Sequence, residues 1–179
     1  FNFLSFSLFS ASLTTGIFGF SGVGLDFSVS GISDGSSFTD SVLRSSVIYD
    51  WGIRVRFFNY VVNNLKNQKQ IEATCDVFNS VTLVDSLIQS IFLAIKKDVS
   101  GLFHVVDSTC VNRFEFAKSI AEIFKFDDKL IKKISIDDID IVAKRPKNAC
   151  LNNFKAKKEL GIKFKTLEEG IRQVLKKVN

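Results

Sequence analysis

The chain has 179 residues, 46% of them hydrophobic, and a formal net charge of +5, which suits one domain with a true core. Its lysines scatter over helix faces instead of forming a stripe with interleaved aromatics, which argues against nucleic-acid binding. No apolar run approaches the ~20 residues of a membrane span, and the first basic residue is Arg44, so a signal peptide with a basic start is excluded too.

Residues 1–40 hold ten Ser, eight Phe and six Gly and carry only Asp26, Asp34 and Asp40 as charges, whereas residues 41–179 carry 24 bases and 16 acids, a balance of +8. The biased leader has few helix formers and fits short strands and turns or an unstructured segment. With no Met in the chain, a processed, cut or mis-started product is expected. Composition therefore divides the chain into a Phe/Ser/Gly-rich leader, 1–40, and a globular part, 41–179. The letters Thr15-Gly16-x-x-Gly19-x-x-Gly22 spell a dinucleotide-binding loop, but the segment after them is a poor helix, so chance spacing is the better reading.

The mostly apolar run 42–49 predicts one buried strand, ended by Asp50-Trp51-Gly52. Val55, Phe58, Val62 and Leu65 recur at helical spacing, which predicts a helix over 54–66, and 69–75 is a short strand. Thr82 is a candidate N-cap for a helix whose apolar stripe is Val84, Leu87, Ile88, Ile91, Phe92 and Ile95. Residues 101–106 predict a strand, and Asn112 with Glu115 resembles a capping box before a helix with Phe116, Ile120, Ile123 and Phe124. A strand over 132–136 follows. Thr166 and Glu169 form a second capping box ahead of Ile171, Val174, Leu175 and Val178. Alternating strands and helices define an α/β class.

Three cysteines, Cys75, Cys110 and Cys150, form no Cys-x-x-Cys pair, which argues against a disulfide framework or a zinc site and for thiols in a reducing cytoplasm. His104, the only His, reads as a structural residue, and Asp137, Asp138 and Asp140 as a solvated acidic turn.

Five segments in order resemble one family: LRSSVIY at 43–49, DVFNSVT at 76–82, GLFHV at 101–105, NRFEFA at 112–117, and AKRP at 143–146 followed by Leu151-Asn152. Together they are similar to the C-terminal, substrate-binding half of dTDP-4-dehydrorhamnose reductases, extended short-chain dehydrogenase/reductases. Val47, Val77, Val81 and Asn152 depart from that family's usual residues. The resemblance implies a partial NAD(P)-binding Rossmann-like fold, a nucleotide-sugar ligand, NADPH or NADH as cofactor, a cytoplasmic setting, no membrane or nucleic-acid partner, and room for a homodimer.

The family's reductases use a Tyr-x-x-x-Lys pair, with Tyr as acid and Lys lowering its pKa. Tyr49 is followed at that spacing by Ile53 and Tyr60 by Asn64, so no catalytic residue is assigned. Arg145, whose guanidinium fork suits a diphosphate, is the leading substrate-binding candidate, fixed in its loop by Pro146, the only Pro. Asn79 and Ser80 are candidate partners for sugar hydroxyls, and Trp51, just past a strand end, is a candidate pocket wall. Two readings follow: a substrate-binding fragment of a sugar-nucleotide reductase, inactive alone, or a non-catalytic protein on the same scaffold, as in the regulatory subunit of methionine adenosyltransferase.

Overall fold

The computed structural model describes residues 25–32, 38–52, 57–140 and 145–178. The glycine-rich letters at 15–22 and Ala143-Lys144 of the Arg-Pro motif lie outside them. Nine strands and five helices appear among the described residues, and parallel and antiparallel pairs mix in an α/β arrangement.

The apolar run read as one strand is two. β1 (Leu25–Ile32) pairs antiparallel with β2 (Phe38–Ser45), which also takes β6 (Gly101–His104) in parallel. After Ser46 the chain changes sheet, and β3 (Val47–Tyr49) pairs in parallel with β5 (Phe78–Leu83). An apolar run shows burial but not which sheet receives it, so the break at Ser46 left no hydrophobic signature. The compositional boundary at residue 41 falls inside β2.

β5 is the hub of the second sheet. It pairs antiparallel with β7 (Cys110–Asn112) and in parallel with the two-residue β9 (Asn148–Ala149). β4 (Ile71–Thr74) and β8 (Ile131–Ile134) make a separate parallel pair.

α1 (Phe57–Lys66), α3 (Arg113–Phe124) and α5 (Leu167–Val178) bury their apolar faces in a core with Tyr49, Val81, Leu83 and Ile71. A second core joins Leu43, Phe103 and Val105 to Leu87 and Ala94 of α2 (Val84–Lys97) and to Ala156 and Leu160 of α4 (Phe154–Leu160). Two helix starts follow the sequence reading. The Asn112 side-chain oxygen accepts from the Glu115 amide at 2.8 Å, and Thr166 and Glu169 make reciprocal capping bonds of 2.9 and 3.3 Å.

α2 departs from expectation in two ways. Thr82 lies within β5 opposite Ile48, and its hydroxyl is buried without a hydrogen-bond partner among the described residues. The cap comes from far along the chain: the Asp107 carboxylate accepts from the Leu83 amide at 2.7 Å and from the Ser86 hydroxyl at 2.8 Å. The six-residue stripe also splits. Leu87 is buried, whereas Ile88, Phe92 and Ile95 stand exposed, and Ser86, Ser90 and Ala94 take the inner positions. Small residues let α2 approach the second core closely, which turns the bulkier residues outward.

Candidate substrate-binding site

The strongest site residues converge on β5. Asn79 sits opposite Val111 of β7 and beside Ala149 of β9. It shares a narrow crevice with Val47, Phe57, Val111 and Arg113. Arg113 opens α3 directly after the Asn112 cap, so it sits at the positive end of a helix. Its side chain keeps contact with solvent, while its guanidinium carbon lies 5.0 Å from the centre of the Phe57 ring.

Arg145 arrives from the other side. The segment that carries it is pinned to β5 where the Phe78 amide donates to the Lys147 carbonyl at 2.8 Å, just ahead of the β9 pairing. Crowding by protein, and after it the charge of Arg145, pull the pKa of Arg113 below its ordinary value. Arg113, Asn79 and the start of α3 thus lie together, with the charge of Arg145 acting on Arg113. Such a set offers a fork of donors and a positive potential that suit a phosphate or diphosphate.

Ser80 is placed differently. It is buried, its hydroxyl accepts from the Leu151 amide at 2.9 Å, and it lies on a second, open cleft of about 380 Å³ bordered by Asp107, Thr109, Cys110, Cys150 and Asn152. Trp51 lines neither cleft. It stands 38% exposed past the end of β3, beside Asp50, which with Asp85 binds the Lys177 ammonium of α5 at 2.9 and 3.0 Å. Asn79 thus borders the Arg113 crevice, the Arg145 segment joins β5 through Lys147 and β9, Ser80 borders a neighbouring cleft, and Trp51 lines neither. Sequence reading did not single out Arg113, although it follows the Asn112 cap and lies in the family segment at 112–117.

The cysteines overturn the sequence expectation. Cys110 and Cys150 form a disulfide with Cα atoms 5.8 Å apart, and Cys75 is free. The reason is sheet topology: Cys110 lies opposite Ser80, and the segment after β9 returns to the same residue through Leu151. His104 Nδ1 lies 3.2 Å from the Asn152 carbonyl. Among the described residues no group of acidic, His or Cys side chains is arranged to hold a metal, and no helix is long and apolar enough to cross a membrane. Asp138 instead takes part in a capping box with Ser135.

Tyr49 is buried between Phe58 and Phe116, its hydroxyl finds no partner among the described residues, and burial drives its pKa well above the ordinary range. As for a dinucleotide, none of α2 to α5 opens on a glycine-rich turn that could cradle a pyrophosphate.

The fold is an α/β unit whose parallel and antiparallel strand pairs are packed by helices. The chain belongs to the family described as the RmlD substrate binding domain, whose model matches residues 35–179. It is similar to the probable low-salt glycan biosynthesis reductase Agl14 of Haloferax volcanii, 27% identical over 134 residues, covering 73% of this chain and 45% of that protein. Among solved structures it resembles the dTDP-4-dehydrorhamnose reductase of Bacillus anthracis in complex with NADP, with a TM-score of 0.70, 22% identity, and coverage of 76% of this chain and 48% of that one. It also resembles a hypothetical dTDP-4-dehydrorhamnose reductase from Sulfolobus tokodaii, with a TM-score of 0.61 and 27% identity, covering 73% of this chain and 45% of the other. The chain spans less than half the length of each of these relatives.

Proposed function

We propose that this chain is the substrate-side part of a nucleotide-sugar reductase and that it holds the anionic diphosphate of its ligand between Arg145 and Arg113. The observation that carries this reading is the place of Arg113 at the start of α3, in one crevice with Asn79 and within reach of the charge of Arg145. Like charges repel, so an anion bound between them would lower a cost present in the ligand-free chain.

In this reading Asn79 offers its side-chain amide to the ligand next to the diphosphate. Ser80 fixes the Leu151 end of the Arg145 segment and reaches sugar hydroxyls only from the neighbouring cleft. In reductases of this type the nicotinamide supplies the hydride, and no step of that transfer is assigned to the described residues. A soluble, cytoplasmic protein free of nucleic acid is consistent with the family.

Titration of a dTDP-sugar by calorimetry, with Trp51 fluorescence as a second signal, tests the reading. Arg145→Ala removes a charge-assisted contact of about 1.5–3 kcal/mol, a ten- to hundredfold loss of affinity. Lys147→Ala loses much less, because an exposed Lys is a screened point charge. Equal losses from both, erased by salt, would reduce the site to a basic surface.

A further inference from the structure

We propose that Cys110 and Cys150 form a thiol–disulfide exchange site, open to small disulfides of the glutathione class, that locks or releases the segment carrying Arg145. Three observations support it. First, the two residues form a disulfide with a Cα separation of 5.8 Å, inside the span that a bond bridges without backbone movement. Second, the pair is reachable: Cys110 is exposed, Cys150 is half-buried, and both border the open cleft of about 380 Å³, room enough for a tripeptide thiol to approach the sulfur atoms.

The third observation is the shortness of the secondary structure that holds the segment. Its strand among the described residues, β9, is two residues long. Beyond β9 it is held by single polar contacts, among them the Phe78 amide on the Lys147 carbonyl at 2.8 Å, the Leu151 amide on Ser80 at 2.9 Å, and Asn153 Nδ2 on the Val106 carbonyl at 2.7 Å. Segments tied by so little regular structure open locally at lower cost than the core. The disulfide is the one covalent tie between this segment and the strand β7 that leads into Arg113. Closing it restricts the path between Arg145 and Arg113, and opening it lets that spacing fluctuate.

The exchange balances in two steps. The thiolate of one cysteine attacks a sulfur of glutathione disulfide, forms a mixed disulfide and expels one glutathione thiolate. The second cysteine thiolate then attacks the protein-side sulfur, forms the Cys110–Cys150 bond and expels the second glutathione. The protein pair loses two electrons, glutathione disulfide gains them, and the two thiol protons pass to the released glutathione. Reduction runs the same path in reverse.

The exchange itself does not depend on a ligand, whereas its effect on nucleotide-sugar affinity rests on the reading of Arg145 given above. The test equilibrates the full chain in graded mixtures of glutathione and glutathione disulfide, traps free thiols by alkylation, and maps the peptides, with Cys75 as internal standard. Parallel samples are followed by amide hydrogen exchange. The expected result is a titratable Cys110–Cys150 bond and exchange over residues 145–153 that is about tenfold faster once it is reduced. The double variant Cys110→Ser, Cys150→Ser should match the reduced chain at every glutathione ratio. A pair that stays reduced in the most oxidising mixture, or bonded in the most reducing one, overturns the proposal, and so does equal amide exchange in the two states. If amide exchange follows redox state while dTDP-sugar affinity does not, the lock stands and the assignment of Arg145 to the ligand fails.

Discussion

Gly170 of α5 leaves the space that the Tyr49 hydroxyl occupies: a Cβ built at Gly170 would overlap that oxygen. Tyr49 is 1% exposed at the end of β3, so neither partner can swing into solvent to relieve the clash. The smallest residue thus sits inside a helix because of a ring on a strand more than a hundred positions earlier.

Gly170→Ala is therefore expected to destabilise by about 1–3 kcal/mol through overpacking, although alanine is the better helix former. Tyr49→Phe removes a buried hydroxyl without a partner among the described residues, and is expected to be neutral or stabilising. In the double variant the overlap with the oxygen is gone and a tighter-than-usual contact of 3.1 Å with the ring carbon remains, so part of the loss returns. Denaturant melts of the four proteins give the coupling energy, and additive effects would refute the contact.

Two buried or half-buried carboxylates pull in opposite directions with pH. Burial raises Asp107 above its ordinary 3.8, against the opposing bonds from Leu83 and Ser86, so its protonated form is favoured in the fold. Its contribution is full below that value and is lost as pH rises through the raised one. Asp76 is lowered by the Ser135 hydroxyl and the Ile136 amide. Its contribution is present above 3.8 and is lost as pH falls. Melting temperature against pH should therefore lose its acid-side fall in Asp76→Asn and its fall on the rising side in Asp107→Asn. Asp107→Ala, which deletes the cap of α2, should cost about 1–3 kcal/mol at any pH.

Arg113 gives a prediction separate from Arg145. Arg113→Gln keeps a polar side chain at the start of α3 but removes one of the two repelling charges, so the ligand-free chain should be as stable or slightly more so. Affinity for a dTDP-sugar should fall about tenfold or more, with a shallower dependence on salt. A variant that loses stability and keeps affinity would show that Arg113 serves the Phe57 stack alone.

Removal of residues 1–40 should harm the fold. It deletes β1 and the first residues of β2, and so bares an edge of β2 that pairs along eight residues. Unpaired strand edges recruit other chains, so the shortened protein should melt lower and scatter light with rising concentration. An unchanged melting curve would place the stable unit wholly in residues 41–179.

The parts of the fold that sequence made readable are those decided locally. α3 and α5 begin where side chains three residues apart cap each other, and their apolar faces pack as their spacing requires. α2 was misread at its start because its cap, Asp107, lies 24 residues from Leu83. The disulfide was missed because its cysteines are 40 residues apart and meet only through the ladders of β5. The site shows the same division. Both arginines lie in family segments, but Arg145 has a neighbouring Pro to mark it, whereas the crevice that Arg113 shares with Asn79 forms only when β5 and β7 pair.

The strand β5 takes its partners from residues 47–49, 110–112 and 148–149. During synthesis the ribosome releases these stretches at well-separated times, and β5 waits unfinished until the last of them emerges. Contacts between such distant segments slow folding, and helices such as α1 and α3 form long before. The corner around Asn79 is thus assembled late. Until β9 arrives, one side of β5 near Asn79 lies open as an unpaired edge, and a chaperone or a misplaced strand has its best opportunity there.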